Sequence, residues 1–470
     1  MIRKSVCENG VIIESGAQDW QIFQQDARGV AAIALAGRWL TAAKHTTAQV
    51  LVRLIHEDRY DEVSLEHSWT QAETRPDGTW SLTLRNVPRG GLYRIETGLQ
   101  LDGSVVEWIT RGDMIHHIGV GDIWVITGQS NAAGYGKTPA ADGPELGLHM
   151  FHADGSWKLA AHPLSDSSGS QYVANREGAN GSHSPWLAFA RKLRRELGHP
   201  IGLVPASLGG SPLAAWTRGV DGRLFENMLA YTGDGCGNRV RGVVWYQGES
   251  DTGPEARVLY RERFTKLVND WRKVFRDPRL PVITVQLNRY VGEPYTTPTH
   301  PGWEFIRELQ RQIPREIPGV YVISALDLGL SDGIHNDSNG NLTIGDRCAA
   351  VALGAVHGRH VKYLHPDLER VRRSGARRLD LVFANINTRL HFEDRIPEHF
   401  PFAVRDEGGA VPVKSWAIIR GNTFRIELER ALRGQATVTG APTACPPTVI
   451  PFDICGYRPM LGFTADVPAR

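Results

Sequence analysis

The chain has 470 residues, 41% of them hydrophobic and 22% charged, with a formal net charge of +2. That length calls for two or three domains, and the near-neutral balance excludes the broad basic field of a nucleic-acid-binding protein. No apolar run reaches membrane-spanning length, since GVAAIALAG is broken at once by Arg38.

The opening residues, MIRKSVCENGVIIESG, hold no apolar core of a secretory signal. The five cysteines are scattered, odd in number and without metal-type spacing. Reduced thiols in a cytoplasmic protein are therefore expected.

Residues 1–118 read as short alternating strands. Val50–Ile55, Thr79–Leu84 and Leu92–Thr97 are the clearest, with PDG and PRGG as turn signals between them. A β-sandwich-type module fits this pattern.

Residues 119–362 change character. Asp122–Thr127, Ile201–Ala206, Gly242–Gln247, Pro281–Leu287 and Val320–Ala325 are near-continuous apolar runs, suited to parallel strands buried on both faces. Helical patterns separate them. One, SPWLAFARKLRREL, opens with Ser184 as N-cap and Pro185 at the first helical position. Its apolar stripe runs through Trp186, Phe189, Ala190, Leu193 and Leu197. A second stripe, between Ala256 and Phe275, runs through Phe264, Leu267, Val268 and Trp271. Strands alternating with helices specify a doubly wound α/β layer.

Residues 363–470 return to the alternating pattern, with Arg378–Phe383 and Thr423–Leu428 as strands. The basic stretch ERVRRSGARR before them reads as a solvated linker. No internal repeat is present.

The stretch TGQSNAAGYGKT, Thr127–Thr138, carries the functional question. Gly136, Lys137 and Thr138 match the end of a phosphate-binding loop, but Asn131 occupies the first glycine position and the strand ends too early. The alternative puts Ser130 at the turn after a buried strand. In open α/β sheets, ligands gather at the carboxyl ends of the strands. There SLGGS supplies Gly209 and Gly210, QGESD supplies Gln247 with two carboxylates, and SDGIHND sets Asp332 three residues before His335. A serine, a His–Asp pair and neutral hydrogen-bond donors are the components of acyl transfer.

The blocks GDIWVITGQSN, GGSPLAAW, WYQGESD and DGIHND followed by IGDR resemble those of the SGNH hydrolases. Within them they are most similar to the sialate O-acetylesterase group of carbohydrate acetylesterases. The resemblance implies a flavodoxin-like three-layer α/β/α domain with a parallel sheet, flanked by N- and C-terminal β-sandwich-type modules. It also implies hydrolysis of an O-acetylated sugar through a serine, with no metal and no cofactor. Two positions depart from the group: Ala132, where methionine often follows the asparagine, and Asn336, where proline commonly follows the histidine.

On this reading Ser130 attacks the ester, His335 moves the proton and Asp332 orients the imidazole. The amides of Ser130 and Gly210 and the side chain of Gln247 form the oxyanion hole, with Gly209 as the adjacent alternative. Gln129 and Asn131 hold the turn, and Glu249 is a structural hydrogen-bond acceptor beside Asp251. Arg289 is the first candidate, and Arg307 the second, for a cation facing the carboxylate of a sialic acid.

Trp216, Trp245, Tyr246 and Trp303 are open to two readings, sugar stacking or core packing. His116 and His117 adjoin a strand, cannot both face one ion, and are read as structural. DSNGN from Asp337 fails as a calcium loop at Leu342 and Cys348. The rival functions are an acetylxylan-type or general short-chain esterase on the same fold, and a non-catalytic glycan-binding protein.

Overall fold

A single 19-residue strand, β1 (Thr110–Gly128), joins the first two regions of the chain. The computed structural model describes residues 9–42, 47–177, 182–291, 301–393, 396 and 399–469. The first half of β1 pairs antiparallel with Gly90–Leu101, which pairs in turn with Ala48–His56. Against these strands lies a four-stranded sheet built on Val30–Thr41 and Thr79–Pro88. The core between them contains Ile33, Val50, Val52, Leu54, Ile95 and Val120. The second half of β1 becomes the middle of the central sheet, so residues 118 and 119 lie within one strand.

The central sheet adds β2 (Leu148–Phe151), β3 (Trp157–Leu159), β4 (Ile201–Pro205), β5 (Gly242–Tyr246), β6 (Val282–Val285) and β7 (Val320–Ile323). Their order is β3-β2-β4-β1-β5-β6-β7, parallel throughout except β3. All five predicted apolar runs are strands of this sheet. The edge pair β2 and β3 was not anticipated, because HMF and WKL are too short to show a period.

The helices α1 (Ser130–Ala133), α2 (Trp186–Leu197), α3 (Arg223–Cys236), α4 (Pro254–Val274), α5 (Pro301–Glu316) and α6 (Ser338–Val351) complete the domain. Trp245 pairs with Thr127 across the ladder, three residues from Trp124, so the two tryptophans point to opposite faces. Trp124 meets Phe189 of α2, whereas Trp245 meets Phe264 and Trp271 of α4. The sheet is therefore covered on both faces, as its unbroken apolar runs require.

Ser184 does not cap α2: the helix follows Pro185, and the Ser184 hydroxyl is buried without a partner among the described residues. Asp337 does cap α6, accepting from the Gly340 amide at 2.6 Å. Among the described residues no helix is long and apolar enough to cross a membrane.

Among the described residues, the C-terminal region contains two four-stranded sheets and a three-stranded one. Leu379, Leu381, Phe424, Ile426, Val438 and Phe463 lie in their shared core. The basic stretch is not a linker. Asp367–Gly375 is a strand in a hairpin with Arg378–Ala384, burying Leu368 and Val371 and exposing Arg370 and Arg372. A register shift between Leu368 and Arg370 breaks the period of two, which hid the strand.

His116 and His117 do share one partner, against the expectation that they cannot face one group. Both ring Nδ1 atoms reach the Glu57 carboxylate, at 3.3 and 2.7 Å. His117 has φ +59°, and this left-handed residue cancels the alternation of an ordinary strand.

Candidate active site

β1 ends in a turn that only glycine permits at Gly128. Its φ is +130°, and a Cβ there would lie 2.1 Å from the carbonyl oxygen of Tyr246. The close approach lets the Gln129 amide donate to Tyr246 O at 3.0 Å. Gln129 Oε1 accepts from the Gly248 and Ser250 amides, at 3.4 and 3.2 Å. The turn is thereby tied to the end of β5, as expected of Gln129. Ser130 then opens α1, 7% exposed, with an amide that has no intrahelical acceptor.

Asn131 does more than hold its own turn. Its Nδ2 donates to Glu249 Oε1 at 2.8 Å and to Ile334 O at 3.3 Å. Its Oδ1 accepts from the Asn336 backbone amide at 3.0 Å and from the Asn336 side chain at 3.1 Å. The residue after Ser130 thus grips the residues on both sides of His335. A proline at position 336 could not donate that amide. Asn336 also donates to Tyr246 Oη at 3.0 Å and accepts from Asn288 Nδ2 at 2.7 Å.

His335 and Asp332 are paired side chain to side chain, Nδ1 to Oδ2, at 2.8 Å. Asp332 Oδ1 accepts from the amides of Ile334 and His335, at 3.0 and 2.9 Å. Its Oδ2 also accepts from Lys137 Nζ at 2.7 Å. Burial by itself would raise this carboxyl, but Lys137, His335 and the two amides outweigh it and hold Asp332 well below the usual carboxylate range. An ionised Asp332 makes Nδ1 the protonated nitrogen, which leaves Nε2 as the proton acceptor. Tyr135 stacks on the imidazole, centroids 4.6 Å apart at 23°, and its hydroxyl binds Glu177 Oε1.

The glycine loop after β4 lies over the serine turn, with the Leu208 amide on Gly128 O at 3.1 Å. The Gly209 amide donates to Glu177 Oε2 at 3.1 Å. Gly210 has φ +62° and open space where a Cβ would stand. No hydrogen bond to its amide is found among the described residues.

Gln247 differs from expectation. Its Nε2 donates to Ser211 O, at 3.2 Å, and to Asp251 Oδ2, and both partners are acceptors. Both N–H bonds are committed in this arrangement, and reversing the amide would set its oxygen against two acceptor oxygens. Glu249 behaves as the hydrogen-bond acceptor expected, and burial pushes its carboxyl up to about 7. Burial likewise raises Asp251.

Of the two candidates for a substrate cation, Arg307 is not placed for that role. Arg307 is 1% exposed and donates to the carbonyls of Leu287, Asn288, Ala441, Thr443 and Ala444. It ties α5 to the C-terminal region, and burial lowers it to about 9. Arg289 donates to Leu328 O at 2.6 Å. Trp216, Trp245 and Tyr246 are fully buried and Trp303 is 3% exposed, so core packing accounts for all four.

Sequence reasoning missed Tyr135, Lys137 and Glu177. Tyr135 and Lys137 stood in GYGKT, within seven residues of Ser130, but were weighed only as part of a phosphate loop. Glu177 had no local signal.

Among the described residues, Asp142, His162 and His183 bring three ligand-type atoms close enough to share one ion. Asp142 Oδ2 lies 2.9 Å from His162 Nε2 and 3.0 Å from His183 Nε2, and Arg191 binds Oδ1. The Ser184 amide faces His162 Nδ1 at 3.4 Å. That contact favours a proton on Nε2, the form that donates to a carboxylate rather than the form that binds an ion.

Residues 120–354 match the family described as carbohydrate esterase, sialic acid-specific acetylesterase. A probable carbohydrate esterase of Arabidopsis thaliana is 26% identical over 266 residues, 52% of this chain and 94% of that protein. The sialate O-acetylesterase of Homo sapiens is 28% identical over 240 residues, 42% of this chain and 43% of that protein. The chain therefore spans less than half the length of this human relative. The crystal structure of a carbohydrate acetylesterase from Xanthomonas citri shares the fold at 22% identity, with a TM-score of 0.67, covering 97% of this chain and 99% of that one. With its serine turn, glycine loop and His–Asp pair all inside the matched segment, the chain belongs to the sialic acid-specific acetylesterase family of carbohydrate esterases.

Proposed function

We propose that the protein removes O-acetyl groups from carbohydrates, with Ser130 as nucleophile, His335 as general base and acid, and Asp332 as its orienting carboxylate. The observation that carries this reading is the Asn131 clamp. It fixes the backbone on both sides of His335 to the residue that follows Ser130.

Ser130 Oγ attacks the acetyl carbonyl while His335 Nε2 takes its proton. The imidazolium is stabilised by Asp332 and gives the proton to the departing sugar oxygen. Water then repeats the sequence on the acetyl-enzyme. The amides of Ser130 and Gly210 are the oxyanion donors on this reading, because the Gly209 amide and the Gln247 side chain have other partners. Gln247 instead braces the glycine loop through Ser211 O.

The substrate class follows the family and the names of the relatives, which are carbohydrate and sialate esterases. The test is acetate release from O-acetylated sialic acid and from acetylated xylo-oligosaccharides. Release from at least one sugar is expected, and a failure on every acetylated sugar tried would end the proposal.

A further inference from the structure

We propose that Lys137 is a positioning residue of the His–Asp pair: its ammonium shares Asp332 Oδ2 with the His335 ring and thereby sets the pH range over which the base works. This rests on the esterase reading above.

The loop that carries Lys137 is anchored on both sides. Before it, Gly136 pairs with His183 through two backbone hydrogen bonds, at 3.1 and 3.0 Å. After it, Thr138 Oγ1 accepts from the Ser338 amide at 2.9 Å and Thr138 O binds the Ser338 hydroxyl. Lys137 therefore projects from a fixed backbone, and its Nζ rests 2.7 Å from Asp332 Oδ2. That same oxygen faces His335 Nδ1 at 2.8 Å, while Oδ1 is held by two amides. Four donors occupy the carboxylate, about as many as it accepts.

The consequence is electrostatic. An imidazolium at His335 is stabilised by the negative charge of Asp332, and an ammonium on the same oxygen opposes it. The other charged or titratable neighbours do not replace Lys137. Tyr135 presents its ring, with its hydroxyl bound to Glu177, and Glu249 lies behind Asn131. The Lys137 side chain is 55% exposed, so its effect is moderate and weakened by salt. An ordinary surface ion pair would leave the shape of the pH profile alone.

The experiment is kcat/KM against pH on a simple acetyl ester for wild type, Lys137→Met and Lys137→Arg at low ionic strength, with Ser130→Ala as control. In Lys137→Met the acid limb should move upward by about 0.3–0.7 of a pH unit. Lys137→Arg should restore it, and added salt should move wild type towards the methionine variant. A Lys137→Met profile that superimposes on wild type, or falls equally at every pH, overturns the proposal while inactive Ser130→Ala leaves the esterase reading standing. Activity retained in Ser130→Ala overturns both.

Discussion

The two ends of the central sheet each bury carboxylates, and they treat them in opposite ways. At the amino end, Asp122 is fully buried. It is met by Arg241 at 2.9 Å, His199 at 3.0 Å, the Gln25 amide at 2.9 Å and the Gln24 amide at 3.3 Å. His357 lies 3.3 Å away. Burial would raise Asp122, but His199, Arg241 and His357 hold it well below the usual range.

At the carboxyl end, Glu249 and Asp251 are buried among amides, and burial raises both. Glu249 Oε2 and Asp251 Oδ1 have no partner among the described residues. All three are buried, so the neighbouring cations decide the charge. Gln24 and Gln25 come from the N-terminal region, so the charged end fastens two regions together. At the end carrying Ser130, Glu249 and Asp251 accept from amide donors and, among the described residues, pair with no cation, and the ion pair of that end, Lys137 with Asp332, is partly exposed.

The strongest way to break this contrast is to remove the chemistry from one end only. Ser130→Ala and His335→Ala should each lower turnover of an acetyl ester by several orders of magnitude while thermal unfolding stays near wild type. Substantial turnover by folded Ser130→Ala would leave the carboxyl end without a nucleophile.

Next in size are two variants that exchange stability for charge. Asp122→Ala leaves Arg241 and His199 without their carboxylate, and should cost roughly 3–5 kcal/mol. The loss should show as a lowered melting temperature with turnover per folded molecule unchanged. Glu249→Gln should behave in the opposite sense. The folded carboxyl titrates near 7, above its ordinary value, so its contribution to stability is fully present at low pH and is lost as pH rises through about 7. Glutamine cannot ionise, and a reversed amide still accepts from Asn131. Wild type should therefore lose on the order of 2–3 kcal/mol relative to Glu249→Gln between pH 5 and 8. Parallel denaturation midpoints across that range would show that burial does not raise Glu249.

Much of this was legible in the sequence, for identifiable reasons. The five apolar runs could only be strands buried on both faces, and their carboxyl ends collected Ser130, Gly210, Gln247 and His335. Hydrogen-bond direction was not legible. Nothing in QGESD says that the Gln247 amide turns back to Asp251 instead of towards the serine. The role of Asn336 was visible only as a missing proline, because its meaning depends on Asn131, 205 residues away. Glu177 is likewise set by tertiary contact alone. Arg307 was misread because a cation near a strand end looks the same whether it faces substrate or a carbonyl.

Arg289 gives the smallest effect and the sharpest test of that last point. Its Nη2 donates to Leu328 O at 2.6 Å, and its Nε is buried without a partner among the described residues. Leu328 O also lies 3.5 Å from Asn288 Nδ2, and the Val291 amide donates to Gly333 O at 2.8 Å. The segment after β6 therefore braces the loop that carries Asp332 and His335. A brace acts on the base and not on the sugar. Arg289→Ala should lower acetate release by up to about fivefold, the effect of one hydrogen bond, and by the same factor on O-acetylated sialic acid and acetylated xylo-oligosaccharides. A guanidinium that contacts a substrate carboxylate would instead cost far more on the charged sugar than on the neutral one. Selective loss on sialate would return Arg289 to the binding site and show that its side chain leaves Leu328 when substrate arrives. Equal loss keeps it with the carboxyl-end scaffold, where its hydrogen bond to Leu328 O helps to hold the loop of Asp332 and His335.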